Sequence, residues 1–272
     1  MTPLPLLSEP EPPRGVAHPV APGIRRLVAA NAGAMTYHGT NTYLIDGAGG
    51  LTVLDPGPDA AAHVAAILAA AGDAPITRIF LTHGHADHIG ALPALRAATG
   101  AAVFAAREGL ADGARIGGWT ALATPGHAPD HLCFARDDGV LCSGDHVMSF
   151  ASTVVIPPEG SMAAYLASLR RLLARDGDAL FLPGHGPPLR DPRGFTAALL
   201  AHRLAREAEI RAALTAGPLS VAQLVTQLYR QLDPRLRRAA EASVTAHLGK
   251  LEAEGEAVRD GATWRRAVPR TR

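Results

Sequence analysis

The stretch that most constrains this chain is Thr82-His83-Gly84-His85-Ala86-Asp87-His88. It follows Ile76-Thr77-Arg78-Ile79-Phe80-Leu81, whose alternation and β-branching read as a strand. It precedes Ile89-Gly90-Ala91-Leu92-Pro93-Ala94-Leu95-Arg96, which reads as the start of a helix. Four potential metal ligands therefore fall on one strand-to-helix loop. Imidazole nitrogens and carboxylate oxygens are donors that zinc and similar divalent ions accept. His83 and His85 are two residues apart, so in an extended loop both can face one ion. Asp87 and His88 follow where the backbone turns, and can face a second.

Three further positions complete such a site. His127 follows an apolar segment in Thr124-Pro125-Gly126-His127. Asp145 follows another in Cys142-Ser143-Gly144-Asp145, and His185 a third in Leu182-Pro183-Gly184-His185. The glycine before each one lets backbones approach closely. The residues alone thus supply a two-metal complement of five His and two Asp.

Around these positions the chain alternates strands and helices. Ile24 to Ala29 reads as a first strand, and residues 41–45 and 51–55 as a hairpin across the glycines at 47, 49 and 50. Asp59 is placed to N-cap an Ala-rich helix ending near Ala71. Residues 101–105 form another strand. Residues 131–135 and 140–142 form a hairpin turning at Asp138-Gly139. Ser161 caps a helix to about Arg175, and residues 179–182 are a short apolar strand. The layout is α/β.

After Phe195 the pattern changes. Residues 196–216 read as a long helix, broken by Gly217-Pro218. Ser220-Val221-Ala222-Gln223 is a capping box opening a second helix. Pro234 starts a third, running to about Glu254, and residues 256–266 read as a small hairpin. This is a winged-helix outline. The expected division is a Pro-rich lead over 1–22, a catalytic domain over 23–195 and a winged-helix-like domain over 196–272.

Aromatic residues are only 4%, so the core must be built from Ala, Leu and Val. Cys133 and Cys142 are the only cysteines and read as buried thiols. No basic-then-apolar leader opens the chain, and no apolar run reaches about 18 residues. The expectation is a cytoplasmic protein with no membrane partner.

The His-x-His-x-Asp-His pattern and the three later ligands resemble the metallo-β-lactamase superfamily. The resemblance implies a four-layer αββα sandwich. It implies that His83, His85 and His127 hold one ion, that Asp87, His88 and His185 hold another, and that Asp145 bridges the two. It implies two Zn2+ and a metal-bridging hydroxide as nucleophile, with Asp87 orienting it. Gly39-Thr40-Asn41-Thr42-Tyr43-Leu44 and the winged helix narrow the resemblance to the lactamase-β-like protein two group. That group includes an animal mitochondrial member acting on single-stranded RNA and many bacterial relatives of unassigned substrate. His131 is a candidate catalytic or supporting donor, and Asp55 a candidate support for the ligands. His38 is placed at the cleft rim, and His146 has no clear role beside Asp145. His18, His63, His202 and His247 read as surface or packing residues.

Charge orders the substrate readings. Residues 1–195 carry 13 basic and 17 acidic side chains, whereas residues 196–272 carry 13 and 8. Arg259, Arg265, Arg266, Arg270 and Arg272 gather at the wing and tail. A phosphodiester or RNA substrate is therefore the first expectation. A thioester or ester of the hydroxyacylglutathione type is the second. A β-lactam is disfavoured by Asp145, and a di-iron redox role by His85. The C-terminal domain is also a candidate homodimer contact.

Overall fold

The structure is a computed structural model that describes residues 4–267. Arg270 and Arg272, part of the basic cluster expected at the tail, lie outside the described residues.

Eleven strands form two sheets. The first contains β1 (His18–Ala21), β2 (Ile24–Val28), β3 (Asn41–Ile45), β4 (Leu51–Leu54), β5 (Ile76–Phe80) and β6 (Ala102–Phe104), hydrogen-bonded in chain order. β1 to β4 are antiparallel, whereas β4, β5 and β6 are parallel. The second contains β7 (Arg115–Ile116), β8 (Trp119–Ala123), β9 (Leu132–Arg136), β10 (Val140–Gly144) and β11 (Leu180–Pro183), in the order β11-β10-β9-β8-β7. Tyr43, Ile45, Leu54 and Phe80 of the first sheet meet Trp119, Phe134, Cys142 and Leu182 of the second in one apolar core. Phe80 and Phe134 stack across it at 4.6 Å.

Helices cover both outer faces. α1 (Ala61–Ala71), α2 (Ala86–Ile89) and α3 (Leu92–Thr99) follow β4 and β5. Ile67 and Leu95 pack onto Leu44, Val53 and Ile79. α4 (Met162–Leu173) and the start of α5 (Pro192–Thr215) cover the second sheet, placing Tyr165, Leu169, Phe195 and Leu199 against Cys133, Leu141 and Phe181. The result is αββα. Because helices bury the outer faces, β3, β4, β10 and β11 are buried along their whole length instead of alternating.

The C-terminal unit comprises the far half of α5, α6 (Val221–Leu228), α7 (Arg237–Ala253), β12 (Ala257–Asp260) and β13 (Thr263–Arg266). Ile210, Leu214, Leu224, Val244, Leu248 and Trp264 form its core. The capping box at Ser220 and Gln223 is present, as is the Ser161 cap.

Three expectations need correction. Asp59 does not cap α1, which starts from Ala60 with no side-chain cap. The third C-terminal helix opens with a 3-10 turn, Pro234–Leu236, and becomes α-helical only at Arg237. The helix expected over 196–216 starts earlier: α5 begins at Pro192, capped by Asp191, and runs through Phe195. Its first turns bury Phe195 against the second sheet and its last turns bury Leu214 in the C-terminal core. The Pro-rich lead joins the first sheet: β1 pairs with β2, and Glu9 meets buried Arg26 at 2.9 Å.

Candidate metal centre

The four ligand-bearing connections follow the carboxyl ends of β5 in the first sheet and of β8, β10 and β11, which run the same way, in the second. One edge of the sandwich therefore collects them. The His83 loop follows β5, His127 follows β8, Asp145 follows β10 directly and His185 follows β11. Asp87 and His88 are on α2 rather than on an extended loop. Backbone fit is tight here. A Cβ on Gly184 would lie 2.3 Å from Asp145 Oδ1, and one on Gly144 would lie 2.6 Å from His131 Nε2. Only glycine fits where two strand ends converge.

The seven ligand candidates meet. His83 Nε2 and His127 Nε2 lie 2.9 and 3.0 Å from His85 Nδ1. His185 Nε2 lies 3.2 Å from Asp87 Oδ2, and His88 Nε2 lies 3.6 Å from the same oxygen. Asp145 stands between these groups, 3.7 Å from His127 Nε2, 3.5 Å from His88 Nε2 and 3.4 Å from His185 Nε2. His83, His85 and His127 form one group able to hold a metal, and Asp87, His88 and His185 another.

Proton placement tests whether a cation fits. His127 Nδ1 faces Val154 O at 2.7 Å and His185 Nδ1 faces Gly39 O at 3.3 Å. Carbonyls only accept, so both Nδ1 atoms carry hydrogen. His88 Nδ1 donates to Asp55 Oδ2 at 2.8 Å. The Thr82 hydroxyl donates to Asp55 at 2.7 Å, so it accepts from His83 Nδ1 at 3.0 Å. When neutral, these four rings therefore turn the Nε2 lone pair inward, the tautomer that ligates a cation. Buried His88 Nε2 and Asp145 Oδ1 have no hydrogen-bond partner. The donor set fits divalent ions.

Without an ion, the carboxylates draw positive charge onto two of the rings. Burial opposes charge on His88, but Asp145 and Asp55 outweigh it and hold the imidazole well above its ordinary value. Burial disfavours the Asp145 charge, yet His185 and His88 hold its carboxyl well below the usual range. Burial also opposes charge on His185, but Asp145 and Asp87 outweigh it and raise the ring to about 9. For His83 and His127 burial wins, so both are held below the ordinary imidazole value and stay neutral.

The remaining residues support this centre. Asp55 is fully buried at φ +50 and accepts from Thr82 N, Thr82 Oγ1 and His88 Nδ1. Thr82 carries no sequence signal, because its partner lies 27 residues away. His131 is buried behind the ligands. Its Nε2 accepts from Asp145 N at 3.2 Å and its Nδ1 pairs with Thr124 Oγ1 at 2.8 Å. His131 therefore fixes Asp145 rather than facing the opening. His146 is fully buried against Tyr165 with neither ring nitrogen paired, and burial pushes it down to about 3. His38 binds Glu9 O at 3.0 Å beside the rim. His63 and His247 are packing residues bonded to Thr42 and Glu207. Arg107 was not signalled by the sequence. Its guanidinium covers Gly84 and pairs with Asp130 at 2.6 Å.

Comparison with known proteins gives this site its family. Residues 35–115 match the model of the metallo-beta-lactamase superfamily, and residues 220–264 that of the beta-lactamase associated winged helix domain. The atrochrysone carboxyl ACP thioesterase of Aspergillus chevalieri is 31% identical over 75% of this chain and 69% of its own. The chain belongs to the metallo-β-lactamase superfamily. Another superfamily relative, the beta-lactamase-like protein 2 homolog of Drosophila melanogaster, is 29% identical over 85% of this chain and 88% of its own. A solved beta-lactamase domain protein from Burkholderia ambifaria superposes with TM-score 0.80 at 28% identity, covering 94% of this chain and 95% of that one. The winged-helix domain is thus part of the shared architecture.

Proposed function

We propose that the chain is a binuclear zinc hydrolase acting on a carbonyl ester, with an acyl thioester as the favoured substrate class. One observation carries the binuclear reading: Asp145 stands between two three-residue donor groups. Two divalent ions bound there supply an activated water nucleophile and polarise the oxygens of the reacting group. Asp55 and the carbonyls of Val154 and Gly39 hold the imidazoles in the ligating tautomer. Asp87 keeps one oxygen beside His185 while 31% of its side chain remains exposed, so it can take a proton from a water at the opening.

The choice of ester over phosphodiester reverses the order suggested by charge. The Arg-bearing wing packs against α5 near Arg211. That is about 12 Å along the helix from Arg203, whose guanidinium donates to Thr153 O on the loop after Asp145. The thioesterase named among the relatives supports the same reading. The phosphodiester reading retains one support, the exposed Arg259 and Arg266 on the wing.

Elemental analysis of zinc-replete protein should find about two ions per chain; one or none would overturn the binuclear reading. The same protein should hydrolyse a model acyl thioester faster than bis-p-nitrophenyl phosphate, a lactone or a β-lactam. A phosphodiester preference would overturn the substrate class. Asp145→Ala should lose an ion and most turnover.

A further inference from the structure

Gly39-Thr40-Asn41-Thr42-Tyr43 carries part of the family resemblance, yet it supplies no ligand candidate. We propose that this segment positions the Asp87, His88 and His185 group, with Asn41 and Tyr43 as the positioning residues of His185. The proposal rests on the binuclear reading and deepens it.

His185 follows β11 on a loop that belongs to no helix and no named strand. The segment grips this loop by its carbonyls. Asn41 Nδ2 donates to Pro183 O at 2.9 Å and to Gly186 O at 2.8 Å, and Asn41 N donates to Gly184 O at 2.7 Å. Carbonyls only accept, so the carboxamide nitrogen faces them with both hydrogens engaged. The Tyr43 hydroxyl donates to Pro183 O at 2.8 Å. His185 is thus held from both sides. Thr40 forms a bridge with His185 itself, and Gly39 O takes His185 Nδ1 at 3.3 Å. Gly39 has φ +136, and a Cβ there would lie 1.9 Å from Ala29 O, so only glycine delivers that carbonyl. Strand alternation divides the work. Asn41 and Tyr43 leave one face of β3 towards β11. Thr42 leaves the other and donates to Asp55 O at 2.7 Å, and Asp55 holds His88 Nδ1. Two members of one donor group therefore hang on this segment. Among the described residues, His83, His85 and His127 make no hydrogen bond to it. Asn41 and Tyr43 are buried, so a carbonyl that loses its donor here must shift to find another, and His185 shifts with it.

Zinc titration in competition with a chelating dye tests this. Asn41→Ala, and the isosteric Asn41→Asp with no side-chain N–H, should each weaken one of the two ions about tenfold or more and leave the other within about threefold. Tyr43→Phe removes a single donor at constant core volume and should weaken the same ion several-fold. Where the Asn41 variants do not fold, Tyr43→Phe decides alone, and unchanged affinity in it overturns the proposal. A double-mutant cycle with His185→Ala separates positioning from general damage. Positioning acts through that one ligand, so neither Asn41→Ala nor Tyr43→Phe should weaken zinc further once His185 is gone. Additive losses, equal weakening of both ions, or full affinity in Asn41→Asp would overturn the proposal. In metal-free protein the same variants should speed amide exchange in the peptide from Phe181 to Leu189. A titration that finds a single ion in the wild type overturns the binuclear reading alone; unchanged exchange in that peptide overturns the positioning role whatever the ion count.

Discussion

Asp55 and Asp145 are both buried carboxylates at strand ends, yet their tasks differ because of what surrounds them. Asp55 accepts three hydrogen bonds, two from Thr82 and one from His88. It acts by fixing the His88 tautomer. Asp145 keeps an oxygen without a partner. Asp55→Asn keeps the shape but can turn a donor towards the His88 N–H. It should weaken zinc binding about 10- to 100-fold. Competition titration against a chelating dye measures this, and an unchanged affinity would show that Asp55 is only structural. His131→Ala should act through Asp145. It removes the acceptor of the Asp145 N–H, so zinc occupancy should fall although no ligand has been touched.

At the scale of elements, α5 joins the two cores, and one ion-pair group fastens it to α7. Glu207 on α5 meets His247 at 3.1 Å and Lys250 at 2.8 Å on α7, and Arg211 at 2.9 Å on its own helix. Burial raises the Glu207 pKa, but His247 and Lys250 outweigh it and bring the carboxyl down to about 2. The folded value is below the unfolded one. The stabilisation is therefore complete above about pH 4.5 and is lost as pH falls through about 2. With solvent screening at Arg211 allowed for, it is of order 2 kcal/mol. Glu207→Gln should be less stable than wild type by about that amount at pH 7. Denaturant unfolding at pH 7, 4 and 3 should show the gap narrowing as pH falls; a constant gap would refute the ion-pair account. Ser220→Ala removes the α6 cap and should cost about 1 kcal/mol, read as earlier melting of the C-terminal unit.

For the whole molecule, metal and fold are linked. Five imidazoles and two carboxylates at one edge join loops from both sheets, so any divalent ion that binds only the native state would raise its stability by mass action. Dialysis against a chelator should lower Tm, and zinc should restore it in proportion to the logarithm of its concentration. The wing provides a separate test of the phosphodiester alternative. If it docks RNA, replacing Arg259, Arg265 and Arg266 with Ala should weaken binding at low salt. The slope of log affinity against log salt should become shallower by roughly one unit per lost contact. If the domain instead mediates dimerisation, the triple variant keeps its RNA behaviour, and removing residues 217–272 changes the sedimentation coefficient.

The convergence of the seven candidate ligands was legible in the sequence because each lies on a connection that follows an apolar strand. Strand ends in an α/β layout gather at one edge, so residue type and local pattern brought these side chains to notice. Ser161 and the Ser220–Gln223 box were legible for a similar reason, since a helix cap is satisfied within four residues. The tertiary structure alone decided the rest. Asp55 and Thr82 become partners only when β4 and β5 lie side by side. The span of α5 through residue 195 depends on which core buries each turn, and helical periodicity does not record that. The placing of the basic wing against α5 arises from packing between elements far apart in the chain. Local sequence carries hydrogen bonds and caps of short range; distances between remote side chains exist only once the layers have closed.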